Sequence, residues 1–145
     1  MKRKLVHVIC ILVLASGLCY AGGKGSSQPS GRSGYLKKDP ISENRVNIYD
    51  KNGSLEGYTK KDPISADRWN VYDSKGRQKG YVKQDPISED RKNIYDKDGH
   101  QEGYLKKDPL SEDRTNIYDK RGHQDGYLKQ DPISEDRTNI YRKPK

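Results

Sequence analysis

The sequence predicts an all-β protein made of five 23-residue hairpin repeats that close into a ring. Three observations predict it. The segment "YDKDGHQEGYLKKDP" at Tyr95 recurs with small changes at Tyr49, Tyr72 and Tyr118, always 23 residues apart. Each copy holds two short runs of strand-forming residues around a glycine-bearing turn. The array also begins and ends inside a hairpin, so its two ends are complementary halves.

The units open at Gly34, Gly57, Gly80, Gly103 and Gly126. Their shared pattern is G-Y-x-K-[KQ]-D-P-[IL]-S-x-[ND]-R-x-N-[IV]-Y-[DR]. Within a unit the turn is the best-defined part. Asn52-Gly53 alone suggests a two-residue hairpin loop, but Lys75 and Arg121 stand where Asn52 does, and long cationic residues disfavour positive φ. An Asp always precedes the pair, and Gly always closes it. That chemistry predicts three-residue loops at 51–53, 74–76, 97–99 and 120–122, each a type I turn followed by a left-handed Gly in a bulge.

Carried along the strands, this turn places Asp50 opposite Ser54 and Tyr49 opposite Leu55. It also sets Ile48 opposite Glu56, Asn47 opposite Gly57 and Val46 opposite Tyr58. One face then holds Val46, Ile48 and Tyr58, with Ile48 and Tyr58 as candidates for a central plug. The other holds Tyr49, Gly57 and Thr59. Gly57 either lets an aromatic ring lie across bare backbone or bends the strand.

The connector "KDPISENR" at 38–45 has a different chemistry. Asp39 can cap, Pro40 fits a first helical position and Glu43 suits the start of a helix. Only about one turn fits, so a short 3₁₀ or turn segment is expected, with Ile41 tucked under as an anchor. Asp39 and Arg45 flank it and can pair within or between units, or stay solvated.

Each end of the array lacks a partner. "GYLKK" at Gly34 is a second strand with no first strand before it. "RTNIYR" at Arg137 is a first strand with no second strand after it. Pairing them completes a fifth hairpin, with Thr138 opposite Tyr35 and Asn139 opposite Gly34, and removes the exposed sheet edges. The alternative is an open hairpin solenoid with frayed ends.

Ahead of the repeats, Lys2, Arg3 and Lys4 precede the apolar stretch "LVHVICILVLASGLCYA". This reads as a signal peptide over 1–21, cut after Ala21. A retained anchor and a lipoprotein modified at Cys19 are the alternatives. Cleavage removes both cysteines and leaves 26 cationic against 21 acidic residues, a net charge of +5 and a chain with no disulfide framework. Residues 22–33 read as a Gly/Ser-rich tether without secondary structure. The repeat domain covers 34–142, and 143–145 form a tail. An exported chain, periplasmic or extracellular, with no transmembrane span after cleavage is the expectation.

The repeated Y-D-x-x-G-x-x-x-G-Y from Gly34 to Arg142 resembles uncharacterised exported bacterial tandem β-hairpin proteins, whose radial arrangement has been termed a β-flower. That resemblance implies geometry and little about activity. The G-Y unit starts also resemble choline- and glucan-binding repeats, which build aromatic cages between hairpins. That likeness implies Tyr35, Tyr49, Tyr58, Tyr72 and their later copies as groove residues, although the family's paired Trp-Tyr-Tyr run is missing; Trp69, the single tryptophan, is a further binding candidate.

No Ser/His/Asp arrangement, phosphate loop or paired carboxylate environment is present, so a non-enzyme without cofactors is expected. "DKDG" at 96–99 lacks the ligand run of a calcium loop. His100 and His123 occupy equivalent turns, and two ligands leave a metal site incomplete. Lys37, Lys60, Lys83, Lys106 and Lys129 recur once per unit. On a ring they form a girdle that can meet anionic envelope polymer or lipid headgroups, or serve as a solvated strand face. Nucleic acid is disfavoured by export. The function expected is binding or scaffolding in the bacterial cell envelope. The alternative is a glycan or cell-wall module with Tyr-lined grooves.

Overall fold

A computed structural model describes residues 31–143. The signal peptide, the lipidation alternative and most of the tether lie outside the described residues. Ten antiparallel strands form one closed barrel: β1 (Arg32–Lys38), β2 (Arg45–Asp50), β3 (Leu55–Lys61), β4 (Arg68–Asp73), β5 (Gln78–Gln84), β6 (Arg91–Asp96), β7 (Gln101–Lys107), β8 (Arg114–Asp119), β9 (Gln124–Gln130) and β10 (Arg137–Arg142). Each strand pairs with its neighbours in the chain, and β1 pairs with β10. The ring therefore closes. Strands joined by connectors pair as fully as strands joined by turns, so the repeats form a continuous wall. Strand β1 starts two residues inside the stretch read as a tether, with Arg32 opposite Tyr141.

The turns form as their residues require. Gly53, Gly76, Gly99 and Gly122 have φ between 79° and 89°. The Gly53 N–H donates to the Asp50 carbonyl at 3.2 Å, and the Asp50 N–H donates to the Ser54 carbonyl at 3.0 Å. The expected pairing of Tyr49 with Leu55 is present.

Beyond that pair the register differs from the sequence expectation. A β-bulge leaves Glu56 unpaired and sets Ile48 opposite Gly57, Asn47 opposite Tyr58 and Val46 opposite Thr59. The same bulge recurs in every repeat and at the closing seam, where Ser33 is skipped. Tyr35 therefore faces Asn139, and Leu36 faces Thr138. One extra residue reverses which side chains point inward. Val46 and Ile48 stay inside, joined by Gly57 and Thr59, while Tyr58 turns outward. Tyr58 is thus no part of the plug.

The interior is a belt of cross-strand pairs: Leu36 with Ile48, Thr59 with Val71, Val82 with Ile94, Leu105 with Ile117 and Leu128 with Ile140. All ten are at most 4% exposed. Gly57, Gly80, Gly103 and Gly126 sit at the turn end of this belt. A Cβ on Gly80 would lie 2.2 Å from the Tyr95 carbonyl oxygen. The glycine is there because the neighbouring backbone crosses too closely for any side chain. The three atoms nearest to that Cβ are all backbone.

Candidate functional site

The outer wall carries five copies of one aromatic stack. Tyr58 lies on Tyr72 with ring centroids 5.0 Å apart, and the Arg45 guanidinium covers the Tyr58 ring at 4.0 Å. The copies are Arg68–Tyr81–Tyr95, Arg91–Tyr104–Tyr118 and Arg114–Tyr127–Tyr141. The fifth crosses the seam, with Arg137 of β10 at 4.0 Å over Tyr35 of β1, which stacks on Tyr49. Tyr49, Tyr58 and Tyr72, predicted as groove residues, are brought together in pairs. Their facing surfaces are taken by each other, and arginine takes the second face of Tyr35 and Tyr58 but is not placed over Tyr49 or Tyr72. Stacking of this kind contributes about 0.5–1.5 kcal/mol per pair beyond buried area.

A second repeated device holds each arginine in place. The Arg45 Nε donates to Asn47 Oδ1 at 2.9 Å, and Asn47 Nδ2 donates to Asp39 Oδ2 at 3.1 Å. Arg45 Nε also lies 3.5 Å from Asp39 Oδ2, so of the arrangements the sequence left open the pair within the unit forms, and the two charges are not simply solvated. The asparagines are buried, and they link wall to connector in all five units. Sequence reading missed their role. The signal was present as an invariant Asn two places after Arg and eight after Asp.

Asp39 also shapes its own connector. Its Oδ1 accepts from the N–H groups of Ile41 at 2.9 Å and Ser42 at 3.0 Å. These bonds keep the carboxyls ionised. The Ile41 N–H does most to hold Asp39 below the usual carboxylate range, and the Ile87 and Leu110 N–H groups do the same for Asp85 and Asp108. At Asp62 and Asp131 the Asn70 and Asn139 amides contribute most. The recurrent carboxylates are thus structural acceptors, a use at odds with proton transfer near neutrality.

The connectors depart from expectation at their apolar residue. Ile41 is not tucked under. It is 94% exposed, and Ile64, Ile87, Leu110 and Ile133 are equally so. With Asp39 capping the N–H of residue 41 itself, the loop holds the side chain away from the wall. The result is a crown of five aliphatic tips at one end of the barrel.

Lys37, Lys60, Lys83, Lys106 and Lys129 are exposed on the outer wall close to that end. They share one register level, each opposite the Arg of the adjoining strand, as Lys60 is opposite Arg45 and Lys37 opposite Arg137. Trp69 is placed differently. It is 5% exposed inside the barrel, paired with Lys61 and Val82, and so belongs to the core. A residue in its column, like Val46 and Thr138, faces inward whatever its size.

The opposite end carries the turns. Asp96 Oδ1 accepts from the N–H groups of Asp98 and His100, and its Oδ2 lies 3.1 Å from His100 Nδ1. His123 meets Asp119 in the same way at 3.3 Å. Each histidine is engaged by its own turn. Among the described residues no group of three or more His, Cys, Asp or Glu is placed to hold a metal ion.

No family model matches the chain, and no curated protein is similar to it. Among solved structures, a protein of Arabidopsis thaliana is similar at 14% identity over 79% of this chain and 83% of that one, with a TM-score of 0.44. That likeness is too distant to bear on fold or function.

Proposed function

We propose that the chain is an exported, non-catalytic module that binds or scaffolds in the bacterial cell envelope through a surface repeated five times. The observation that carries this reading is the lysine girdle: five exposed cations at one level of a closed wall. One Lys binds a phosphate weakly, but five on a rigid ring engage a polyanion together, and avidity multiplies the effect. Phosphate-rich envelope polymer is the partner that this spacing suits. The committed state of the connector carboxylates supports the non-catalytic part. In each pair the stack and the arginine over one ring occupy three of the four ring faces, which leaves little for a sugar to stack on, so the glycan reading stands second.

Retention on an immobilised polyphosphate column tests the proposal. The protein should bind at low salt and elute as the Debye length falls from about 10 Å at 0.1 M to about 3 Å at 1 M. Changing all five girdle lysines to Gln should abolish retention. Retention that survives the change, or binding to peptidoglycan or choline resin instead, overturns it.

A further inference from the structure

We infer that the connector end of the barrel docks end-on to a lipid bilayer, with Ile41, Ile64, Ile87, Leu110 and Ile133 entering the boundary between headgroups and acyl chains. Apolar side chains that are 94–95% exposed make almost no contact with the fold, so they do nothing for its packing. All five such residues stand at one end. They are also rigidly presented. A proline precedes each, fixing φ, and an Asp carboxylate bonds the N–H of the aliphatic residue itself. The loop is ordered before anything binds, so little entropy is lost on docking.

Spacing decides what can receive the tips. Ten strands about 4.8 Å apart, tilted by roughly 40°, give a perimeter of about 60 Å, so neighbouring tips stand about 12 Å apart. They are separate pegs, with Ser and acidic residues between them, and they form no contiguous apolar patch. A folded protein would need five sockets in matching five-fold order. A fluid interface needs none, because lipid closes around each peg wherever it falls.

A second copy is a poor occupant. Head to head, it would offer pegs against pegs. Glu43, Glu89, Glu112 and Glu135, each two residues past a tip, would face their like in the partner ring. Nor does the wall resemble a spanning barrel. Its aliphatics point inward and its outer face carries Arg, Asn, Lys and stacked Tyr, the reverse of the apolar outer band that spanning requires. The contact is therefore through the end.

Headgroup charge is not the main attraction. Residues 37–46 and their four equivalents hold fourteen basic and thirteen acidic side chains, counted from the sequence. A near-neutral end with apolar tips suits zwitterionic lipid. The girdle lysines, four residues before each tip, would stand at headgroup level. Strand β1 begins and β10 ends at the opposite, turn end, so the connectors are clear of both described ends of the chain.

Co-sedimentation with large unilamellar vesicles of pure phosphatidylcholine, at about 0.1 M and 1 M salt, tests this reading apart from the polyanion proposal. The repeat domain should pellet with vesicles at both salt concentrations. A variant carrying I41S, I64S, I87S, L110S and I133S should lose roughly tenfold or more in partition coefficient, with an unchanged melting curve and unchanged retention on polyphosphate. No pelleting of the parent chain, or equal pelleting of the variant, overturns the inference. Binding only to vesicles containing phosphatidylglycerol, released by salt and unaffected by the five changes, would credit the girdle alone and also overturn it. So would a concentration-dependent dimer in sedimentation velocity that the five changes dissolve, which would assign the tips to a second copy.

Discussion

The two ends of the barrel use the same device to present different residues. At the turn end, Asp50 Oδ1 accepts from the N–H groups of Asn52 and Ser54. At the connector end, Asp39 Oδ1 accepts from those of Ile41 and Ser42. Both are aspartate-capped loops repeated around the ring. The turn then returns the chain through a left-handed Gly and carries only polar residues. The connector is longer, has proline directly after its capping Asp and holds an aliphatic tip in solvent. Local capping dictates the loop's shape, and the residue presented at its tip separates a polar end from one that holds aliphatic side chains in solvent.

The sharpest break of this comparison removes the seam that holds both ends in a ring. Deleting residues 137–145 takes away β10, its Ile140 core contact and the Arg137–Tyr35 stack, and leaves β1 and β9 as free edges. Cooperative thermal unfolding should be lost outright, with aggregation in its place. An open array would instead shed only one unit's share of stability. Circular dichroism melts with sedimentation velocity distinguish the two.

Acid should loosen both ends together. Carboxyls are held below the ordinary value of 3.8 at the connectors by N–H groups and asparagine amides, as at Asp39 and Asp62. At the turns Asp73 is held down chiefly by the N–H of Arg77. At Asp96 burial pushes upward most strongly, yet the N–H and ring of His100 and the N–H of Asp98 bring it below that value. A depressed folded pKa means that the unfolded chain binds more protons, so stability rises with pH through this range. The contribution is complete above about pH 5 and falls away as pH drops through 4 and below. Chemical denaturation at pH 7, 5 and 3 should show midpoints that are level across the first two and lower at the third. A midpoint that rises at pH 3 would remove these aspartates from the stability argument.

A pair of glycine variants sharpens the contrast within the turn half. Gly80→Ala sets a Cβ 2.2 Å from the Tyr95 carbonyl oxygen, with only backbone around it to yield, and should cost about 3 kcal/mol. Gly99→Ala meets nothing nearer than the Tyr81 hydroxyl at 3.7 Å, but must adopt φ +89°, and should cost about 1–2 kcal/mol. Equal losses in urea denaturation would mean that conformation, rather than close approach, governs both positions.

Much of this architecture can be read from the residues alone. The period, the glycine turns and the complementary ends give the five hairpins and their closure. The inward-facing register escaped by one residue per repeat. Glu56 carries no mark of a bulge, since this second bulge, unlike the one at the turn, needs no left-handed glycine. Yet the alternation in Tyr58-Thr59-Lys60 held the correction. Tyr58 and Lys60 share a face, so placing Tyr58 in the core would bury Lys60 as well. The columns Leu36, Thr59, Val82, Leu105 and Leu128 are the natural inward set. The connector tips escaped for another reason. An aliphatic residue in a short connector reads as an anchor, and it is the folded loop, with the Ile41 N–H capped by Asp39 and its side chain 94% exposed, that shows otherwise.

The smallest effect separates the two ends most cleanly. A side chain that is 94% exposed contributes almost nothing to the folded state, because folding removes so little of its surface from water. Ile87→Ser at the connector end should therefore leave stability within about 0.5 kcal/mol of the parent chain. Val82→Ser, five residues earlier but 1% exposed in the interior belt, trades a buried methyl pair for a hydroxyl and should cost about 2–3 kcal/mol. Measured side by side by urea denaturation, the two serines should differ by that whole interval. If Ile87→Ser destabilises comparably, the tip packs against the fold after all, and the connector end is a second stabilising end. If only Val82→Ser does, the aliphatic tips are surplus to folding, and a partner is needed to explain five of them.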